Sequence, residues 1–506
     1  MIMRKKNLYK SAAVGLIEEL VAILCAFILP RMILVYFGSD CNGIVAAVTQ
    51  FIGCIALLKS GIGMATKAAL YSPLYSHDQK KVEGIMAATM KYLRKVAFIF
   101  VVGIVIFAVV YPLVVSKEYS WFFVFSLTLI VSLGTFFQYF FGLGNQLLLE
   151  ADQKYYIVSF ITIINTLFNT LISVACMNAG MSIHGVKLCS AVVFCTTPII
   201  LHIYVNRVYH LNRSAKPDEE SISKRWDAFG MQVANFVNSN TDIIVASLFL
   251  RLREVSVYTI YFLSINAIKK FILKLTVGVE AALGNIIAEK DEKKFQRIFM
   301  IFEFILNFVC VVAFSCLCVL IVPFVLIYTR GVTDADYLRP AFGLVACAAE
   351  LFFCLRLAYT FVTQARGDFA ETKKYYYIEA GLNIVSSVIL VNILGLVGIV
   401  VGTLLAMIFR TVMFAKYVYQ NVLHSNFMHF FERMFFTVAV IALNYCVCVK
   451  LMSNMSIDNY LDFTIVALMV CVISFSVTTV LHFARYKVLF VESFNMILSK
   501  KKNKRK

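Results

Sequence analysis

The chain has 506 residues, 61% of them hydrophobic and 15% charged, with a mean hydropathy of +0.82 and a formal charge of +18. A water-soluble fold of this length could not cover so much apolar surface. The positive charge falls in short segments between apolar runs and in the tail 500–506, so a nucleic-acid-binding domain has no soluble part to carry it.

A spanning helix needs roughly 20 mainly apolar residues, and about fourteen stretches reach that length. The first, 11–37, is too long for a signal-peptide core and contains Glu18, Glu19 and Arg31, so it reads as an uncleaved span. The stretches 43–71, 96–115, 120–149, 155–178 and 183–206 follow and complete a set of six. Residues 207–225, with Pro217, Asp218, Glu219 and Glu220, form the longest loop and read as a linker. A second six follows at 226–249, 255–286, 298–328, 338–364, 375–393 and 395–419. Two more stretches, 430–450 and 461–483, precede a basic, partly amphipathic tail. The expected organisation is an N-terminal six-helix lobe at 1–206, the linker 207–225 and a C-terminal six-helix lobe at 226–419. Two additional transmembrane helices then occupy 420–484, and a basic cytoplasmic tail occupies 485–506.

Charge sets the expected orientation. With the N-terminus cytoplasmic, roughly thirty-two basic residues fall inside and about six outside, a strong positive-inside bias that places both termini in the cytoplasm. The second half also echoes the first. Leu57-Leu58-Lys59-Ser60-Gly61-Ile62-Gly63 is echoed by Ile272-Leu273-Lys274-Leu275-Thr276-Val277-Gly278, about 214 residues or six spans later. An even number of spans preserves direction, so the expectation is a parallel repeat about an axis normal to the membrane.

Ionisable groups at membrane depth usually face a cavity or a partner. Arg31, Lys59, Lys270, Lys274, Arg356, Asp242, Glu280, Glu350 and Glu379 are the principal ones here. In the seventh span Gln232, Asn235, Asn238, Ser239 and Asp242 share roughly a 120° arc, more than helix packing needs, which favours a wet cavity. Span eleven carries a smaller stripe of Glu379, Asn383, Ser386 and Ser387. Two readings stay open for the charges: mutual ion pairs, or basic cavity walls suited to an anionic phosphate group. Fourteen cysteines and scattered histidines form no metal-ligand pattern, and no nucleotide-binding or hydrolase motif occurs. The chain therefore reads as a non-enzyme without metal or cofactor.

The segments 38–43, Gln50-Phe51, Leu57-Leu58 and 68–74, together with 331–337, Leu355-Arg356 and 365–368, resemble a known family. Glu379, Leu382-Asn383, 395–398, Gly402-Thr403 and Arg410 extend the likeness over essentially the whole chain. The family is that of bacterial polysaccharide (oligosaccharide-lipid) flippases, within the multidrug/oligosaccharidyl-lipid/polysaccharide exporter superfamily. The resemblance implies an all-α integral membrane protein of about 14 transmembrane helices in the bacterial cytoplasmic membrane. Two six-helix lobes would form a V around a central cavity, plus two C-terminal helices. It also implies alternating access that carries an undecaprenyl-diphosphate-linked oligosaccharide from the inner to the outer leaflet for surface polysaccharide biosynthesis. A polysaccharide polymerase and glycosyltransferases would be partners, beside membrane lipids. Relatives often carry an acid at the position of Lys59, so an ion-coupling carboxylate there does not carry over.

On this reading Arg356, Lys270, Lys274, Lys59, Arg31, Asn235, Asn238 and Gln232 are substrate-binding candidates. Asp242, Glu280, Glu350 and Glu379 are candidate H+ or Na+ coupling sites. The alternative is a cation-coupled multidrug or small-molecule antiporter of the same fold, whose cavity would be dominated by acids.

Overall fold

A computed structural model of the chain describes residues 2–56, 60–115, 119–212, 215–222, 240–276, 279–289, 291–453, 455 and 457–503. The fold is all-α, and among the described residues no strand occurs and eleven helices are long and apolar enough to cross a bilayer. Phe435, Phe98 and Phe122 are at least 70% exposed, whereas Asn165, Asn383 and Asn444 are buried. That distribution inverts the one water imposes and is what a hydrocarbon solvent selects. The chain is a multi-pass membrane protein.

The first compact unit covers Met1–Ser256. Its helix α1 (Ile2–Ile55) has 54 residues, about 80 Å at 1.5 Å per residue and more than twice a bilayer core. It is divided at Gly38, whose φ of 83° and ψ of 175° suit only a residue without a side chain. The expected break between the spans 11–37 and 43–71 is therefore a one-residue bend. The expected second span, 43–71, is the remainder of α1 followed by α2 (Ser60–Ser76). Then come α3 (Gln79–Val115), α4 (Trp121–Phe137), a π-helical turn at Gln138–Gly142 and α5 (Leu143–Ala151), the last three forming the expected span 120–149. Helices α6 (Tyr155–Asn178) and α7 (Ile183–Tyr209) complete the set. Ser120 and Ser182 cap α4 and α7 by accepting the amides of Phe123 and Gly185.

The linker does not hang free of this unit. Asp218 N donates to the Gly84 carbonyl at 3.0 Å, and Ile222, in the short 3₁₀ turn Glu220–Ile222, is buried. Helix α8 is described over Asn240–Phe249. The first turn of α9 (Leu252–Leu275) is tied to α1, with Arg253 Nε 3.0 Å from both oxygens of Asp40 and Asn42 donating to Ser256 at 2.8 Å.

The second unit covers Val257–Lys506. The expected span 255–286 is interrupted between α9 and α10 (Val279–Ala288), where the Thr276 hydroxyl turns back onto the Leu273 carbonyl. Helix α11 (Glu292–Tyr328) starts at Asp291, which accepts the Lys294 amide at 2.9 Å. Helices α12 (Pro340–Arg366), α13 (Phe369–Leu394) and α14 (Leu396–Asn421) follow. The terminal pair, α15 (Met428–Met452) and α16 (Tyr460–Asn503), packs on α11 through buried polar groups. Asn444 donates to Ser315 and Thr478 at 3.1 Å each, and Asn307 donates to Thr437 at 2.7 Å. Such bonds hold helices together where lipid provides no hydrophobic drive. Helix α16 bends at Tyr486 and stays helical to Asn503.

Candidate functional site

The first unit holds a half-open cavity of about 450 Å³ between the second half of α1, the α4–α5 segment, α6 and α7. That volume is in the range of small-molecule sites, roughly 300–1,000 Å³. Its shape follows from two local irregularities. The π-helical turn at Gln138–Gly142 widens the helix, a feature that recurs at functional sites. Opposite it, Pro198 interrupts the backbone ladder of α7, and a Cβ on Gly142 would lie 2.6 Å from the Pro198 ring. Polar groups then face inward from four helices: Gln138, Gln146, Thr135, Thr162, Ser190 and Lys187.

Asn165, on α6, holds this wall in register. Its amide nitrogen donates to the Val193 carbonyl and the Thr196 hydroxyl at 3.0 Å each, and also contacts Thr197. Lys187 is the one charged residue of the described lining, and among the described residues it has no acidic partner. A cation inside a membrane bundle without a carboxylate selects an anion, and the amides and hydroxyls around it suit a hydroxyl-rich ligand.

The second unit holds its charges differently. Glu379 on α13, 1% exposed, accepts Arg356 of α12 at 2.6 Å on one oxygen and Arg410 of α14 on the other. The Arg410 guanidinium also stacks 3.4 Å from the centre of the Tyr376 ring. Two cations on one anion leave this buried group with a net positive charge. Close approach of α13 and α14 makes it possible: a Cβ on Gly402 would lie 2.6 Å from the Ser387 amide nitrogen. Asn383 donates to Thr403 at 3.2 Å, and Ser387 donates to the Ile399 carbonyl at 3.1 Å. The span-eleven stripe is thus turned onto α14.

A second network centres on Glu303, which pairs with Arg433 and accepts Tyr359 at 2.6 Å and Tyr419 at 3.2 Å. In a third pair, Lys269 of α9 meets Glu350 of α12 at 2.8 Å and lies over the Phe353 ring at 4.0 Å.

The expected site residues are placed as follows. Arg356 and Glu379 come together directly, and Glu350 takes Lys269. At 100° per residue Lys270 faces another direction from Lys269 and is exposed, as are Lys274 and Glu280. Arg31 is half-buried just after Pro30 in α1, and Asp242 is buried in α8. Lys59, Gln232, Asn235, Asn238 and Ser239 lie outside the described residues. The sequence reading does not single out Lys187, Asn165, Gln138 or Arg433. Lys187 and Arg433 stand within the first two turns of a helix, where a base ordinarily snorkels to the membrane surface. The only advance signal for the cavity wall is the polar set Ser190, Thr196 and Thr197 ahead of Pro198 on one helix.

No protein-family model matches the chain, and no curated protein matches it in sequence. Solved structures do match in fold. The lipid II flippase MurJ in an inward closed conformation superposes with a TM-score of 0.68 at 12% identity, over 94% of this chain and 99% of that one. An inward-facing multidrug resistance MATE family transporter of the MOP superfamily gives a TM-score of 0.59 at 12% identity, over 81% and 98%. The MATE multidrug transporter DinF-BH gives 0.57 at 14% identity, over 83% and 97%. The chain shares the fold of these transporters.

Proposed function

We propose that the chain is a flippase that moves an undecaprenyl-diphosphate-linked oligosaccharide from the inner to the outer leaflet of the bacterial cytoplasmic membrane. It acts by alternating access, in service of surface polysaccharide assembly. One observation carries this reading: the chamber of the first unit offers amides, hydroxyls and the Lys187 amine, and its described lining holds no carboxylate. An isolated ion in hydrocarbon costs on the order of tens of kcal/mol before compensation, so a diphosphate-sugar head crosses only where polar groups replace its water. The polyprenyl tail needs no such help and stays in lipid. A cationic drug, the cargo of the alternative antiporter, would meet a base and no acid among the described residues of this chamber.

Within this reading Lys270 and Lys274, exposed on α9, are further contacts for the anionic head. Arg356 and Glu379 hold α12, α13 and α14 together. Asp242, Glu280, Glu350 and Glu379 are the proposed coupling carboxylates, Glu350 on Lys269 and Glu379 on Arg356 and Arg410. The parallel repeat of six spans and the lobe limits 1–206 and 226–419 belong to the same proposal.

The test is reconstitution. Proteoliposomes are loaded with a short-chain diphosphate-linked oligosaccharide, and its arrival in the far leaflet is read by an impermeant glycosidase. Efflux of a cationic rhodamine dye is measured in parallel. The flippase reading expects protein-dependent glycan exposure without dye efflux; dye efflux without glycan exposure would establish the antiporter instead.

A further inference from the structure

A second cavity of about 380 Å³ lies at the linker end of the first unit, walled by α3, the π-helical turn, α7 and the linker itself. Its chemistry differs from that of the chamber. Lys91, Arg94 and Lys95 line one side of it, at the i, i+3, i+4 spacing that puts three side chains on one helix face. Met86, Met90, Phe140 and Phe141 add apolar surface beside the polar Asn145, His202 and Asn206, and Arg94 lies 5.9 Å from the centre of the Phe140 ring. The one carboxylate of the lining, Glu83, stands two turns before Lys91 and accepts the Gln79 amide at 3.2 Å.

The bases are not equivalent. The linker already neutralises Lys91, through Glu219 at 2.7 Å. Among the described residues Arg94 and Lys95 have no acidic partner, and both are exposed.

Their level along α3 identifies what they meet. Helix α3 has 37 residues, and its continuous apolar run begins at Val96, immediately after Lys95. From Val96 to Val115 the helix rises about 30 Å, the thickness of one hydrocarbon core. Phe98, Ile99, Val101 and Val102 are exposed from the first turn of that run. Arg94 and Lys95 therefore stand where the hydrocarbon ends and the phosphates of the adjacent leaflet begin.

We propose that this cavity binds the phosphate of an anionic phospholipid from that leaflet. The phosphate sits on Arg94 and Lys95, and the upper part of the lipid lies against Met90, Phe140 and Phe141. The ligand needs both a phosphate and an apolar body, which a free phosphate lacks. Residues Ala215 and Pro217 of the linker close the cavity, and the linker is tied to α3 through Gly84 and Lys91. An occupied site thus favours the docked linker, and the lipid composition of the leaflet acts on how firmly the linker is held to α3.

The test uses the full-length protein in detergent, titrated separately with phosphatidylglycerol, phosphatidylcholine and inorganic phosphate. Bound lipid is counted by native mass spectrometry. A saturable phosphatidylglycerol adduct is expected, with no comparable phosphatidylcholine adduct. The double variant Arg94→Gln/Lys95→Gln should weaken it roughly 30-fold, about fivefold per base. Ala215→Trp on the linker fills the cavity and keeps both charges, and should remove the adduct as well. Retention of the adduct by either variant would overturn the site, since retention by Ala215→Trp alone would mean adsorption to surface charge. Displacement of the lipid by millimolar inorganic phosphate would overturn the lipid assignment in favour of a free anion.

Discussion

The carboxylate of Glu379 faces two guanidinium groups in the interior of the second unit, and its loss should be felt more than the loss of either base. Glu379→Gln leaves two buried cations without a counter-charge, and breaking such a buried pair costs about 3–5 kcal/mol. Arg356→Gln leaves Arg410 paired and should cost clearly less. Thermal unfolding of the purified variants in detergent orders them; equal melting temperatures for the two would contradict the bridge. The sequence shows that Glu379, Arg356 and Arg410 are charged at membrane depth, because apolar surroundings of that length make them visible. It does not show who pairs with whom. Lys269 and Lys270 are neighbours in sequence, and only the helix phase, fixed by packing on α12, gives Glu350 to the first of them. Lys187 is hidden for another reason. A base near a helix start is ordinary, and only the cavity beside it gives it meaning.

Helices α13 and α14 depend on glycine at their contact. A Cβ at position 402 would come within 2.6 Å of backbone and 2.5 Å of the Ser387 hydroxyl, so Gly402→Ala forces the pair apart. Overpacking of this kind costs about 1–3 kcal/mol, and a fall of several degrees in melting temperature is expected, with Gly381→Ala on the open side of α13 as the neutral control. The linker gives a pH prediction. The Asp218 carboxyl is held below the ordinary carboxylate range chiefly by the Ser221 hydroxyl, at 2.6 Å, with Lys81 adding to it. A depressed pKa contributes stability above the unfolded value, near 3.9, and loses it as pH falls through the lower folded value. Limited proteolysis at Lys216 should therefore stay slow from pH 7 to about pH 4 and accelerate only below that; acceleration by pH 6 would show that another group holds the linker. At this scale the span pattern is legible in the sequence, since period and length alone reveal it. The bend at Gly38, the break at Thr276 and the π-helical turn are not, because each is a local backbone choice made by tertiary contacts.

For the molecule as a whole, the central claim is that a hydroxyl-rich anionic head passes through the chamber of the first unit, with Lys187 as its counter-charge. Membrane character and fold rest on the exposed apolar faces and on the shared architecture with lipid-linked and drug transporters. The cargo rests on the chamber. The most direct measurement is the rate of glycan exposure in proteoliposomes carrying Lys187→Gln or Lys187→Arg at matched protein content. The claim predicts that Lys187→Gln falls about tenfold or more, a loss of about 1.4 kcal/mol of interaction with the moving head, while Lys187→Arg keeps most of the rate. Wild-type transport by Lys187→Gln would contradict it, and would mean that the head crosses by a path that does not include this chamber.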